Sequence, residues 1–327
     1  MDRLSLSNEF MEGTNNAYLF RGDRTVLVDT GFNSPAIRDE LERKLGDRGL
    51  AFADVDDILL THYHIDHCAL AAAVQRAGGA RVYAHPKAIP LIEGDRDAWS
   101  TVIETRQRMY DRWGVPEAKW TELEDTLIEE GASYDQDISL RPLAPGDEFD
   151  AGGTTLGVMH TPGHSAGHVS FTTHGGDEVL SGDALLPHYT PNVGGADVRI
   201  ERPLEQYLDT LEQFVEGTFR RAWPGHRDPI DDPAGRARTI IDHHEARAWR
   251  VATSLRERGI ATAWEVSADL FGELEGVHIL HGPGEAYAHL DHLNRDGFIE
   301  RVGDGYRLTG DGSARLDALT DDSLPLT

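Results

Sequence analysis

Thr61-His62-Tyr63-His64-Ile65-Asp66-His67 comes directly behind a β-rich run at residues 57–61, so three histidines and an aspartate crowd the end of what reads as a strand. A strand that stops there feeds a loop able to fan those side chains towards one point. Imidazole nitrogens and carboxylate oxygens together are the ligand set of zinc, and equally of iron or manganese. The competing explanation is a polar surface loop, and four ligand-type residues at this spacing weigh against it.

Further residues of the same kinds follow downstream, each after a regular element or before a turn. Other β runs read at 25–29, 81–85, 154–160, 168–173 and 178–181, with helices at 35–45 and 69–77. Thr161-Pro162-Gly163-His164 follows the run ending at His160, and Ser181-Gly182-Asp183 follows the run at 178–181. Pro203 opens a helix whose Leu204, Tyr207, Leu208, Leu211, Phe214 and Val215 keep one face apolar, and Pro224-Gly225-His226 comes after it. Any one of these alone is an ordinary turn residue beside a glycine. Their conjunction with the first cluster makes them candidate ligands.

Residues 87–140 carry Trp99, Met109, Tyr110, Trp113 and Trp120 among many charges and read as a mainly helical insertion, a cap over the site. Past Pro233 the character changes. Ile240, Ile241, His244, Ala248, Val251 and Leu255 mark one long helix, a second lies near 264–270, and a third spans 284–296. A β-hairpin turning at Gly303-Asp304-Gly305 follows. Three helices and a hairpin outline a winged helix, which divides the chain into a catalytic domain over 1–232 and a winged-helix domain over 233–327.

Charge narrows the partners. The chain holds 57 acidic against 31 basic residues, a formal −26, and only Lys44, Lys87 and Lys119 are lysines. Such a surface suits a salt-rich, halophilic cytoplasm, where screening limits self-repulsion. It disfavours nucleic acid or an anionic membrane as the main partner. Residues 235–327 carry ten arginines and no lysine against sixteen acidic residues, with no basic stripe for phosphates. The single cysteine, Cys68, excludes an internal disulfide and suits a reducing compartment. The opening MDRLSLSNEF lacks a basic, then apolar, leader, and no stretch nears the ~20 apolar residues of a membrane helix. The expectation is a cytoplasmic protein with no membrane partner, a small-molecule substrate and an oligomeric state left open.

The sequence resembles the metallo-β-lactamase superfamily, nearest its glyoxalase II-like hydrolases. The matching residues are Leu27-Val28-Asp29-Thr30-Gly31, the cluster from His62 to His67, the nine residues from His160 to His168, Ser181-Gly182-Asp183 and Pro224-Gly225-His226. The resemblance implies an α/β fold, a four-layer αββα sandwich with metals at one edge of two sheets. It implies that His62, His64 and His164 hold a first metal, that Asp66, His67 and His226 hold a second, and that Asp183 bridges them. Asp29 then supports ligands without binding metal, and His160 and His168 are structural. Where the family often has glycine, this chain has Ala69. Cys68 reads as a packing residue. The last ~90 residues resemble the winged-helix domain of a lactamase-like subgroup, some of whose members act on RNA.

Two divalent ions, zinc foremost with iron or manganese as alternatives, would then activate water for attack on a small thioester, ester or lactone. The alternative is phosphodiester cleavage in RNA. A DNA-reading regulator and a true β-lactamase rank lower. Asp66, Asp183 and His188 are the residues expected to act in catalysis, Asp66 by orienting the nucleophile and His188 by touching substrate.

Overall fold

The computed structural model describes residues 1–8, 13–123, 137–173 and 175–326. A six-stranded sheet has the order β1 (Asp2–Ser7), β2 (Thr14–Arg21), β3 (Thr25–Val28), β4 (Asp57–Leu59), β5 (Arg81–Ala84), β6 (Leu140–Pro142). β1 to β3 run antiparallel, whereas β3 to β6 are parallel neighbours. A five-stranded sheet has the order β11 (Arg221–Pro224), β10 (Glu178–Gly182), β9 (Val169–Thr173), β8 (Thr155–His160), β7 (Glu148–Asp150), with only β10 and β11 parallel.

Strand alternation sorts the side chains into layers. Ala17, Leu19 and Leu27 face one way and pack with Ile37, Leu41 and Leu45 of α1 (Pro35–Gly46). Their neighbours Tyr18, Phe20, Val26 and Val28 face the other way and meet Leu156, Val158, Phe171 and Leu180 of the second sheet. On that sheet's outer face Val179 and Ala222 pack beneath Leu204, Tyr207, Leu211 and Phe214 of α6 (Pro203–Glu216). The order is therefore helix, sheet, sheet, helix. Two short helices, α2 (Ile65–Cys68) and α3 (Ala71–Gly78), follow β4.

The stretch at 87–140 contains α4 (Ile89–Ile92) and α5 (Arg96–Trp113) and ends in β6. Residues 124–136 of that expected insertion lie outside the described residues. Asp95 caps α5, accepting from the backbone N–H of Asp97 and Ala98, and Gly114 closes it in a left-handed conformation.

The C-terminal segment consists of α7 (Pro233–Arg258), α8 (Ala263–Phe271), α9 (His278–Arg295), a hairpin of β12 (Ile299–Val302) and β13 (Gly305–Leu308), and α10 (Gly310–Asp317). Asp232 caps α7, and a reciprocal Thr262–Glu265 capping box starts α8. One correction concerns α9, which starts at His278 and not at Gly284. Gly282-Pro283-Gly284 lies inside the helix. Those small residues let other parts of the chain come close, since a Cβ on Gly282 would meet Leu274 and one on Gly284 would meet Gly195. Packing does not break at residue 233. Trp113, Tyr207, Phe214, Leu255, Val266, Leu290 and Tyr306 belong to one buried cluster. No helix among the described residues is long and apolar enough to cross a membrane.

Candidate metal centre

Parallel strands leave their carboxyl ends on one side, where the following loops converge. Asp29 follows β3, Thr61 and His62 follow β4, Asp183 follows β10, and His226 follows β11. His164 enters from the loop after β8, and Asp66 and His67 from α2. The structure brings His62, His64, Asp66, His67, His164, Asp183 and His226 into one pit, all buried but for the half-buried His64.

His62 Nε2 and His164 Nε2 each lie 2.9 Å from His64 Nδ1, gathering three imidazoles about one point. His67 Nε2 and His226 Nε2 lie 3.3 Å apart, with Asp66 Oδ2 at 3.6 and 3.4 Å from them respectively. Asp183 spans both groups. Its Oδ1 is 3.4 Å from His67 Nε2, and its Oδ2 is 3.2 Å from His226 Nε2 and 3.8 Å from His164 Nε2. Gly225 is required for this closeness, because a Cβ there would stand 2.2 Å from Asp183 Oδ1.

A surrounding layer fixes which ring nitrogens point inward. Asp29 Oδ2 takes His67 Nδ1–H at 2.9 Å, and its Oδ1 accepts from the Thr61 N–H at 2.8 Å. The Thr61 hydroxyl donates to Asp29 and stands 3.0 Å from His62 Nδ1. His164 Nδ1 points to the Asn192 carbonyl at 3.1 Å. His168, the expected structural histidine, accepts the Asp183 N–H on Nε2 and meets the Thr161 hydroxyl through Nδ1. His160 stacks on His85 and reaches the Ala166 carbonyl. Cys68 is buried, its Sγ 3.1 Å from the Tyr63 carbonyl. Ala69 ends α2 in right-handed helical backbone, where alanine fits as well as glycine.

Sequence reasoning missed Asn15 and Asn16. Asn15 donates to the Asp66 carboxylate at 3.1 Å and carbonyl at 2.9 Å, while Asn16 binds the carbonyls of Pro224 and Arg227. The available signal was two consecutive amides in an otherwise apolar strand. His188 is exposed, and among the described residues no hydrogen bond or ion pair joins it to the cluster. It sits in a turn whose next residue, Tyr189, lies under the Arg227 guanidinium at 4.8 Å, beside His226.

The electrostatics ask for positive charge. Burial lowers His62, His64 and His164 below the usual imidazole range. Burial also opposes charge on His67 and His226, but the carboxylates of Asp183 and Asp66 outweigh it and raise both. Desolvation works against ionising Asp66 and Asp183, yet the neighbouring imidazoles hold both carboxyls low. No lysine or arginine among the described residues pairs with Asp66 or Asp183, and Asp183 Oδ1 and His226 Nδ1 are buried with no hydrogen-bond partner. Inward nitrogens, unpartnered carboxylate oxygen and no resident cation other than protons fit divalent metal binding.

Paired sheets with such a pit at one edge define a class of metal-dependent hydrolases. The family model of the metallo-beta-lactamase superfamily matches residues 11–226, and the chain belongs to that superfamily. The crystal structure of metallo-beta-lactamase family protein TTHA1429 from Thermus thermophilus superposes with a TM-score of 0.82 at 31% identity, covering 94% of this chain and 98% of that one. The Bacillus subtilis protein called probable metallo-hydrolase YqjP is 25% identical over 90% of this chain and 92% of its own. A protein of Aspergillus fumigatus named atrochrysone carboxyl ACP thioesterase is 22% identical over 81% of this chain and 70% of its own.

Proposed function

We propose that this hydrolase holds two divalent cations, zinc foremost, and cleaves a small thioester, ester or lactone. His62, His64 and His164 would hold the first cation and Asp66, His67 and His226 the second, with Asp183 shared between them. The observation that carries this reading is the Asp183 carboxylate, whose Oδ2 lies between His226 and His164 while its Oδ1 faces His67, so that one side chain reaches both histidine groups. Cations bound there lower the pKa of water towards ~7 and polarise the substrate oxygen.

The chain's own part is to orient and to hold charge. Asn15 fixes the Asp66 carboxylate, and its depressed pKa keeps it ready to accept a hydrogen bond from the attacking water. Asp29 and Thr61 hold His67 and His62 with their Nε2 atoms inward. The thioester choice draws support from the thioesterase name of the fungal relative and from the resemblance to glyoxalase II-like hydrolases. The helices and hairpin after residue 232 act as a winged-helix domain that shapes the pocket entrance, and the acidic, lysine-poor surface is adapted to high salt.

The deciding assay offers thioester, lactone and RNA substrates to zinc-loaded protein in high salt. Thioester or lactone turnover at a kcat/KM above about 10⁴ M⁻¹s⁻¹ is expected; turnover of RNA alone would replace this substrate class with the phosphodiester alternative. His188 touches substrate and not metal, so His188→Ala is expected to raise KM about two- to ten-fold at unchanged kcat and metal content. Unaltered constants would remove His188 from the site.

A further inference from the structure

A second buried polar cluster lies behind the candidate centre, where α7 and α9 cross. His244, Glu285 and His289 bring ligand-type atoms within 4.8 Å of one another, and all three are buried. Arg247 already pairs with Glu285 Oε1, supplying the positive charge that a metal would otherwise bring. His289 Nδ1 bonds the Glu285 carbonyl at 2.8 Å, and its Nε2 faces His244 Nδ1 at 3.2 Å. The cluster therefore holds one carboxylate rigidly, with Glu285 only 5% exposed.

The other oxygen of that carboxylate points out of the cluster. Glu285 Oε2 accepts from the Val193 N–H at 3.0 Å and from Asn192 Nδ2 at 3.2 Å. The carbonyl of the same Asn192 faces His164 Nδ1 at 3.1 Å. Asn192 Nδ2 also donates to the His281 carbonyl on α9, and its Oδ1 accepts from the N–H groups of Gly195 and Ala196. The turn rests on the helix with backbone against backbone. A Cβ on Gly284 would stand 2.2 Å from Gly195 Cα, and Gly194, at φ +90°, has the Gly284 carbonyl 2.7 Å from where its own Cβ would be.

We propose that Glu285 is a positioning residue for His164, acting through the turn at residues 192–193, so that the C-terminal helices complete the first cation position. This rests on the reading of His164 as a ligand. A hydrogen bond from Nδ1 to a carbonyl sets the tautomer that leaves Nε2 free for metal, and it fixes the ring's direction. That carbonyl belongs to a loop, and a loop is only as well placed as what holds it. Here Glu285, in a buried pair with Arg247 and more than 100 residues along the chain from His164, holds it.

The test measures zinc content and the two zinc affinities by chelator competition on the full chain. Glu285→Ala is expected to weaken one zinc about 10- to 100-fold and leave the other unchanged. Glu285→Gln, whose amide oxygen can still accept from Val193, should lose less. In a His164→Ala background, Glu285→Ala should cause no further loss. Unchanged affinities in Glu285→Ala, an equal fall in both, or the same fall in the His164→Ala background would each overturn the proposal. Should Glu285→Ala not fold, Asn192→Ala replaces it, with a loss of about ten-fold expected and none overturning. Two affinities untouched by His164→Ala itself would instead overturn the ligand reading, whatever Glu285 does.

Discussion

Asp183→Ala is expected to lower kcat/KM by about a thousand-fold or more and to release at least one of two bound cations. The carboxylate is 5% exposed and reaches His164 of one group as well as His67 and His226 of the other, so no neighbouring side chain can take its place. Its removal takes away negative charge common to both cation positions. Loss of several kcal/mol of transition-state stabilisation corresponds to about three powers of ten in rate. Metal analysis by mass spectrometry and steady-state kinetics check the two parts separately. Full occupancy in the variant would overturn the bridging role.

Removing the metals is expected to lower Tm by about 10 °C or more and to change the sign of the pH response above neutrality. Each cation present at about a thousand times its Kd adds ~4 kcal/mol of stability. Without metal, His67 and His226 keep protons because Asp183 and Asp66 raise them above the ordinary imidazole value of 6.5. Stability from such groups is complete below about 6.5 and is lost as pH rises through their raised folded values. The metal-free protein should therefore melt at falling temperature as pH rises above neutrality. The zinc-loaded protein should not, because zinc has displaced those protons and binds more tightly as they leave. Both forms weaken in acid, where His62, His64 and His164, depressed by burial, favour the unfolded chain, which takes up protons more readily. Scanning calorimetry across this range with and without chelator is the measurement, and parallel curves for the two forms would refute the account.

How much of this could be read in the chain depends on whether the cause is local. His62, His164 and Asp183 stand out because each follows a β run and a sharp turn, and a ligand-type residue at a strand end is a local pattern. Part of the sheets was legible for the same reason, since Val26, Leu27 and Val28 of the run at 25–29 alternate between two cores, whereas the first two strands were not read. Asn15 carries no such mark. It matters because Asp66 folds against it from 51 residues away. Glu285 carries no local mark in its helix until Asn192 and Val193 arrive from more than 90 residues earlier in the chain. The start of α9 was misplaced because glycine and proline weaken a helix in isolation, whereas here they admit a neighbouring backbone.

Asn16 donates its backbone N–H to the Gly225 carbonyl and its side-chain amide to Pro224, tying the second strand of the chain to the turn that presents the last histidine. The pit thus joins the beginning of the sequence to its two-thirds point. While the chain is being synthesised, a ribosome must release residue 226 before the pair of cation positions exists at all. Loading both positions with metal is then a late event that follows closure of both sheets.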